Sequence, residues 1–283
     1  MIQPIALQAR VDAHIRDWGL SIDSVRETGR AWLAFGRRGR QPVVLKVIRD
    51  GVDEWRSGEI LAAFEGQGAV RVFEQTGGAV LLERVSPGDS LVRLVREGRD
   101  DEATDALAGV IAAMAPKRDV PGVPTVRDWA GAFDGYIARG ETRIPIDLVA
   151  EARRVHEDLC ASQTRQRLLH GDLHHANVLF DSRRGWLAID PKGVIGETGY
   201  EVGAALRNPV EDPALFLNPS TIERRIERLS SGLNLDAGRL LAWSFSQAVL
   251  SAIWEVEDGS SIGPDNSRIV LAETIRSMLG RRA

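Results

Sequence analysis

The sequence predicts an α+β fold, with a small strand-rich lobe followed by a larger, mostly helical lobe. Short apolar runs separated by glycine-containing turns, such as AVRVFEQ and GAVLLERV, fill the first 85 residues and predict five antiparallel strands. After residue 85, apolar residues recur at helical spacing over most of the chain. We therefore expect two domains, 1–85 and 86–283.

The small lobe is expected to begin with a helix. Leu7, Val11, Ile15 and Trp18 are spaced as on one helix face, and Gly19 ends the pattern. The runs SIDSVRE, RAWLAFGR and QPVVLKVIR are typical of strands. The segment VDEWRSGEILAAFEG returns to helical spacing, which predicts a second helix between the third and fourth strands.

The larger lobe is expected to begin near SPGDS, where Pro87 and Gly88 break the strand pattern and Asp89 or Ser90 could cap a helix. Helices are predicted over 91–97, 103–115, 126–138, 146–162, 220–231, 236–257 and 265–279. Between residues 168 and 190 two short apolar runs, VLF and WLAID, interrupt the helices and predict strands.

The composition is that of an ordinary globular protein, since 43% of the 283 residues are hydrophobic and 27% are charged. A net charge of -4 argues against non-specific nucleic-acid binding. The single cysteine, Cys160, cannot form an internal disulfide. No run approaches the ~18 apolar residues of a membrane span. We expect a cytoplasmic protein with no membrane or nucleic-acid partner, and a monomer because no long heptad run stands out.

The segment LLHGDLHHANVLF, residues 168–180, concentrates polar side chains between two apolar flanks. Asp172 and Asn177 are five residues apart, and Asp190 follows 13 residues later at the end of a predicted strand. This spacing is typical of a phosphoryl-transfer loop, in which the first Asp accepts the acceptor's proton while the Asn and the later Asp hold Mg²⁺. The three histidines suggest zinc instead, but Gly171 stands where a zincin helix needs Glu.

Lys46 lies inside the apolar run VVLKV, where a buried ammonium is costly unless it is paired. Glu59, in the next predicted helix, is the expected partner, and such a pair grips nucleotide phosphates in kinases. Each residue alone has a structural explanation, because Lys46 could extend to solvent from an edge strand and Glu59 could be solvated. The occurrence of Lys46 and Glu59 in order with Asp172, Asn177 and Asp190 is far more specific for a kinase than any one of these residues.

Several motifs between about Lys46 and Asn208 resemble those of the aminoglycoside phosphotransferase family. They are GAVRVFE, LLERV, HGDLHHANVLF, AIDPKG and NP. The chain is most similar to its streptomycin 6-kinase branch, the aminoglycoside/hydroxyurea antibiotic resistance kinases. The resemblance implies a bilobal protein-kinase-like fold that uses ATP and Mg²⁺. It also implies transfer of the γ-phosphate to a hydroxyl of streptomycin, a cationic acceptor, with antibiotic resistance as the result.

The motifs of the family assign a role to each of five residues. The resemblance implies that Asp172 is the catalytic base, that Asn177 and Asp190 are the metal ligands, and that Lys46 and its partner Glu59 hold the phosphates.

The same resemblance places nucleotide contacts at two further segments. LLERV matches the hinge between the lobes, so backbone groups from Glu83 to Val85 would contact the adenine. The phosphate-binding loop is poor in glycine, because RETGRAWLAF contains only Gly29 before the second strand. Thr28 and Arg30 flank this glycine and complete the predicted loop.

An acceptor with two guanidinium groups calls for carboxylates and an aromatic wall. Glu197 and Glu201 follow the metal motif closely, and Glu255 and Asp258 lie beside Trp254 in IWEVEDG. All five are candidate acceptor contacts. Structural explanations stay open, since a carboxylate near a helix start is favoured by the helix dipole and charged runs often end solvated helices.

Two alternatives remain beside the streptomycin kinase. The first keeps the fold and changes the acceptor to another aminoglycoside, hydroxyurea or a metabolite, because a fold does not determine a substrate. The second is a non-catalytic kinase-like module that binds a nucleotide or a partner. The presence of all five core polar residues argues against this second alternative.

Overall fold

The computed structural model describes residues 7–51 and 53–281. Their contacts divide them into two compact units. Unit 1 contains the described residues up to Asp89 together with Ala113–Val120 and Leu179–Lys192. Unit 2 contains Ser90–Ala112, Pro121–Val178 and the described residues from Gly193 onwards. The predicted domain boundary after residue 85 stays a prediction.

Unit 1 is built on a five-stranded antiparallel sheet, which confirms the predicted strands. They are β1 (Leu20–Glu27), β2 (Ala31–Arg38), β3 (Gln41–Ile48), β4 (Val72–Thr76) and β5 (Ala79–Glu83), in the order β1-β2-β3-β5-β4. The helix α1 (Leu7–Asp17) precedes the sheet. The helix α2 (Ser57–Ala63) follows a 3-10 turn at Asp53–Arg56, between the third and fourth strands as predicted.

Alternation along β3 directs its side chains to two faces. Leu45 and Val47 belong to the apolar cluster that also contains Val11 of α1. Lys46 lies between them in sequence and therefore points to the opposite face, where Val80 of β5 is its cross-strand partner. The α2 helix packs tightly on this second face, since a Cβ on Gly58 would lie 2.9 Å from the Cβ of Val80.

The remaining strands are short: β6 (Pro87–Ser90), β7 (Arg167–Leu169), β8 (Val178–Asp181), β9 (Gly185–Ala188) and β10 (Val194–Gly196). Strands β6, β8 and β9 form one sheet in that order, and β7 pairs antiparallel with β10. The runs VLF and WLA lie in β8 and β9, as predicted. The expected helix cap after Pro87 is wrong, because these residues form β6 and the next helix starts without a side-chain cap.

Unit 2 is mostly helical. Its helices are α3 (Val92–Arg96), α4 (Asp100–Ala113), α5 (Val126–Trp129), α6 (Gly131–Ala138), α7 (Ile146–Ala161), α8 (Val202–Leu206), α9 (Pro219–Leu233), α10 (Ala237–Glu257) and α11 (Ser267–Gly280). The predicted helix over 126–138 is two helices that meet at Ala130.

The long helix α10 forms the centre of unit 2. It is buried on nearly all sides, with Trp243, Phe245, Leu250 and Ile253 inaccessible to solvent, as expected for a helix enclosed by others. Helices α7, α8 and α11 contact it. No helix among residues 7–51 and 53–281 has the length and apolar character that a membrane crossing requires.

Candidate active site

Lys46 is the centre of a charged cluster in unit 1. Lys46 is only 3% exposed, so its ammonium needs partners. The Nζ atom lies 2.7 Å from Oε2 of Glu54 and 2.9 Å from Oδ1 of Asp190. Burial has the largest single effect on the pKa of Lys46 and lowers it, but the two carboxylates together outweigh burial and raise the pKa. The lysine is therefore held as a cation.

The partner of Lys46 is Glu54, and the expected pairing with Glu59 is wrong. Glu59 forms an ion pair with Arg56, three residues earlier, at 2.8 Å on the outer side of α2. The apolar positions Ile60 and Leu61 face the sheet and are buried, which turns Glu59 away from it. Glu54 comes from the 3-10 turn that precedes the helix.

Asp190 lies two residues after the end of β9, in a backbone conformation unusual for its residue type. Its φ is +56°, in the left-handed region, which aspartate tolerates better than most residues. Its side chain is 34% exposed, far more than the buried lysine it contacts. The carboxylate that meets Lys46 is thus also accessible to a ligand.

Two backbone N–H groups of the turn around Gly29 form hydrogen bonds within the turn itself. Oγ1 of Thr28 accepts hydrogen bonds from the backbone N–H groups of Arg30 at 3.3 Å and Ala31 at 2.9 Å. These two donors are therefore satisfied within the turn, and Gly29 stays a phosphate contact predicted from its position. Arg30 instead directs its side chain to Glu54, with Nη1 3.5 Å from Oε1.

Glu83 closes β5 and is committed to contacts inside unit 1. Its carboxylate accepts hydrogen bonds from Arg184 and, at 2.7 Å, from the backbone N–H of Arg71. Its own backbone N–H donates to the carbonyl of Arg71 at 3.0 Å. The Glu83 N–H is thus not available to an adenine, and the predicted contact at Val85 remains untested.

In unit 2, a buried carboxylate holds the start of the loop that carries Asp172. Oε1 of Glu201 accepts hydrogen bonds from the backbone N–H groups of His170, at 2.5 Å, and Gly171, at 3.2 Å. Gly171 has a φ of +81°, and a Cβ there would lie 3.1 Å from Trp129 and 3.2 Å from Val194. Both conformation and space require glycine at this position.

Asp172 is fixed through its backbone and its side chain. Its backbone N–H donates to Nδ1 of His170 at 3.3 Å, and its carbonyl accepts from Nδ2 of Asn177 at 3.0 Å. Its Oδ1 lies 3.1 Å from Nη2 of Arg207, and the side chain of Asp172 is 21% exposed. Because Nδ2 of Asn177 is used here, Oδ1 is the branch of the amide that can serve a cation.

The sequence did not single out Arg207. The available signal was an arginine at the end of the apolar run VGAALR, since a charge in such a run needs a partner.

The histidines of the loop support its backbone. His170 accepts the Asp172 N–H as described, and Nδ1 of His174 accepts from the backbone N–H of Ala176 at 3.3 Å. His175 is fully buried, and its ring nitrogens have no hydrogen-bond partner among the described residues. Burial lowers the pKa of His175 well below its ordinary value, so this ring is neutral.

Glu197 and Glu201 are not exposed acceptor contacts, which corrects the prediction for both. Glu201 is 4% exposed and anchors the loop, and burial raises its pKa to about 7 against the opposing backbone hydrogen bonds. Glu197 accepts from Nη2 of Arg239 at 3.0 Å and from Nε1 of Trp243. Both carboxylates are therefore used by the fold.

The second predicted acceptor cluster, at the end of α10, is only partly open to a ligand. Glu255 is paired, with Oε2 2.6 Å from Nη1 of Arg268, so it is no longer an uncompensated negative charge. Trp254 is half-buried and packs edge-on against Trp129, with ring centroids 5.4 Å apart. Asp258 caps the helix and is exposed.

The chain was compared with known protein families and with curated proteins. Residues 26–259 match the model of the family described as aminoglycoside/hydroxyurea antibiotic resistance kinase. A streptomycin 3''-kinase from Klebsiella pneumoniae is 34% identical over 82% of this chain and 86% of the relative. A hydroxyurea phosphotransferase from Kitasatospora aureofaciens is 33% identical over 97% of this chain and 80% of the relative. A streptomycin 6-kinase from Streptomyces glaucescens is 28% identical over 96% and 90%.

Solved structures with low sequence identity share the fold. The choline kinase LicA from Streptococcus pneumoniae superposes with a TM-score of 0.61 at 14% identity, covering 98% of this chain and all of that chain. A thermostable mutant of aminoglycoside phosphotransferase APH(4)-Ia, in a ternary complex with AMP-PNP and hygromycin B, superposes with a TM-score of 0.64 at 17% identity. The match covers 95% of this chain and 98% of that chain. The fold is thus the α+β protein-kinase-like fold. Because the family model spans most of the chain and relatives above 30% identity cover more than two thirds of it, the chain belongs to the aminoglycoside/hydroxyurea antibiotic resistance kinase family.

Proposed function

We propose that this chain is an ATP-dependent O-phosphotransferase that phosphorylates a hydroxyl of streptomycin, at position 6, and thereby confers resistance. The observation that carries the proposal is the buried ammonium of Lys46 between Glu54 and Asp190. Burying an ammonium is costly, and a structural purpose would be served as well by apolar side chains. An ammonium with an accessible carboxylate partner is suited to receive phosphate oxygens.

The donor atoms in each unit fit the cofactors that the family implies. Lys46 supplies N–H donors for phosphate oxygens, while Asp190 and Asn177 supply the hard oxygen ligands that Mg²⁺ prefers. When bound with the nucleotide, Mg²⁺ supplies charge neutralisation for the phosphoryl group.

Asp172 is the residue proposed to accept the proton of the acceptor hydroxyl. Three hydrogen bonds fix its backbone and carboxylate, so it needs little reorganisation before it acts. Holding a base in place before the reaction removes an entropic cost from the barrier.

Streptomycin is proposed as the acceptor because three of the four related curated proteins are streptomycin kinases. Streptomycin carries two guanidinium groups, which carboxylates and aromatic faces bind well. With Glu197 and Glu201 committed to the fold, Trp254 and Asp258 are the predicted acceptor contacts that remain accessible.

The test is release of ADP from ATP and Mg²⁺ in the presence of different acceptors. The panel contains streptomycin, hygromycin B, kanamycin and hydroxyurea, with Asp172→Asn protein as the control for contaminating activity. We expect stimulation by streptomycin alone, and two-dimensional phosphorus–proton NMR of the product to place the phosphate at position 6. Stimulation by another acceptor would refute the substrate, a phosphate at 3'' would refute the position, and no stimulation by any acceptor would refute the kinase activity.

Resistance is tested separately in a susceptible bacterial host. Expression of the wild-type chain should raise the streptomycin concentration needed to inhibit growth, and the Asp172→Asn chain at equal abundance should not. Equal protection by both chains would refute phosphorylation as the cause.

A further inference from the structure

We propose that Arg207 is a positioning residue that holds the carboxylate of Asp172 in the orientation the reaction needs. Arg207 follows α8 and is 9% exposed. Its guanidinium joins two acceptors, with Nη2 3.1 Å from Oδ1 of Asp172 and Nη1 2.9 Å from Oε1 of Gln247. The inference rests on the proposed function, because it assigns Arg207 a part in the reaction of Asp172.

The guanidinium plane is fixed by its second partner. Gln247 is 4% exposed, and its Nε2 donates to the carbonyl of Tyr200. Its side chain also fills the space beside Gly203, where a Cβ would lie 2.5 Å from Cδ of Gln247. Because the amide is held at both ends, it fixes Nη1 of Arg207 and thereby the direction of Nη2.

The backbone that carries Arg207 is anchored as well. Nδ2 of Asn208 donates to the carbonyl of Ala204 at 2.8 Å, which closes the end of α8. Nη1 of Arg225 donates to the carbonyls of Asn208 at 2.8 Å and Ala205 at 3.2 Å. Arg225 is 2% exposed and is itself paired with Asp100 at 2.6 Å. Arg207 thus projects from a rigid support.

Several charged and polar groups of unit 2 surround Asp172. The carboxylate of Glu201 lies beside the preceding two residues, and its charge opposes that of Asp172. Arg268 of α11 and the phenol of Tyr200 also interact electrostatically with Asp172, and His170 accepts its backbone N–H. Arg207 forms an ion pair with Asp172, with Nη2 3.1 Å from Oδ1, and this charge-assisted hydrogen bond restricts the direction of the carboxylate.

A lysine could replace the charge of Arg207 but not its geometry. The planar guanidinium reaches Asp172 and Gln247 through two separate nitrogens, whereas an ammonium has one nitrogen on a flexible stem. The two substitutions Arg207→Met and Arg207→Lys therefore separate loss of charge from loss of orientation.

The experiment compares streptomycin-dependent ADP release by wild type, Arg207→Met, Arg207→Lys, Asp172→Asn and the double variant Arg207→Met/Asp172→Asn. Arg207→Met should lower kcat by about 10²-fold, since small misplacements of a reacting group cost this much, with the KM for ATP nearly unchanged. Arg207→Lys should recover part of the loss.

The double variant shows whether Arg207 acts through Asp172. We expect it to be as slow as Asp172→Asn alone, because two residues that act as one unit are not additive. Arg228→Met is the control for losing an arginine–aspartate pair, since Arg228 pairs with Asp105 at 2.6 Å on the surface of unit 2. Its kcat should equal that of wild type, and thermal unfolding of each variant reports folding.

The outcomes are distinguishable. A wild-type protein that no acceptor stimulates refutes the proposed function. An active wild type with an unchanged kcat in Arg207→Met, or with additive losses in the double variant, overturns the role of Arg207. If Arg207→Met does not fold, Arg207→Lys decides alone: a reduced kcat at unchanged KM for ATP supports the role, and wild-type kinetics overturn it.

Discussion

Substitution of Glu201 by glutamine should change how the stability of the protein depends on pH. Glu201 is buried, and its Oε1 accepts the backbone N–H groups of His170 and Gly171. Glutamine has nearly the same shape and can accept both hydrogen bonds through its own Oε1, but it cannot ionise. Glu201→Gln therefore removes the charge and keeps the anchor.

The magnitude follows from the pKa of Glu201, which burial raises from 4.5 to about 7 in the folded protein. Between these pH values the folded state binds more protons than the unfolded chain, so the free energy of unfolding falls as pH rises through this window. A difference of this size corresponds to about 3 kcal/mol, at about 1.4 kcal/mol for each pH unit. Below the unfolded pKa the carboxyl is protonated in both states, and this loss is absent.

The measurement is urea unfolding at several pH values from 4.5 to 8, followed by tryptophan fluorescence. The difference in unfolding free energy between wild type and Glu201→Gln should change by about 3 kcal/mol across this range, with wild type relatively more stable at acidic pH. Glu227→Gln is the control, because Glu227 is exposed on α9. Parallel pH curves for wild type and Glu201→Gln would refute the buried carboxyl as the source of the effect.

Three further predictions concern single side chains. Glu54→Gln should lower kcat/KM for ATP by at least about tenfold, because it loosens Lys46, the lysine proposed to hold the phosphates, whereas Glu59→Gln should match wild type in the same steady-state assay; equal effects would contradict the observed pairing. Asp172→Asn should lower kcat by about 10³-fold or more while the Kd for ATP, measured by calorimetry, changes little; an unchanged kcat would remove Asp172 as the base. Arg225→Met should lower the free energy of unfolding by about 1–3 kcal/mol in urea titrations, since it leaves the buried carbonyls of Ala205 and Asn208 without their Arg225 donor and leaves Asp100 with the longer contact to Arg224; a loss below about 0.5 kcal/mol would contradict this.

The order of the main helices and strands could be predicted because buried positions recur in the sequence with the period of the helix or strand. Alternating and helically spaced apolar residues marked the five strands of unit 1 and most helices of unit 2. Strands β6, β7 and β10 were not predicted, because they contain four, three and three residues, too few for a period to appear. The Pro-Gly pair in β6 pointed further towards a turn.

The identity of the Lys46 partner was predicted wrongly for a local reason. The segment DEWRSGE offers Glu54 and Glu59 within one short stretch, and helical propensity does not distinguish them. Taking Ile60 and Leu61 as inward positions could have placed Glu59 away from the sheet, since Glu59 lies about 100° and 200° around the helix from them. Glu54 precedes Leu61 by seven residues, which places both on the same face of a helix-like segment.

The acidic residues after the metal motif show what sequence cannot reveal about charge. Glu197 and Glu201 looked like a surface suited to a cationic ligand, but each is neutralised or hydrogen-bonded by a residue distant in sequence. For Glu197 the partner is Arg239, which lies 42 residues away. Such pairings depend on tertiary packing, and no local pattern records them.

The buried arginines of this chain and the buried Lys46 differ in the contacts that they make. Lysine occurs only at positions 46, 117 and 192, whereas the other residues among the 36 lysines and arginines are arginines. The buried arginines Arg207 and Arg225 each bridge two or more acceptors, as the planar guanidinium permits and an ammonium does not. Lys46 is different, because its compact ammonium meets one committed carboxylate and one accessible one. Under the proposed function Lys46 also binds a phosphate oxygen, and a compact ammonium can add that acceptor more readily than a guanidinium fixed in a bidentate pair.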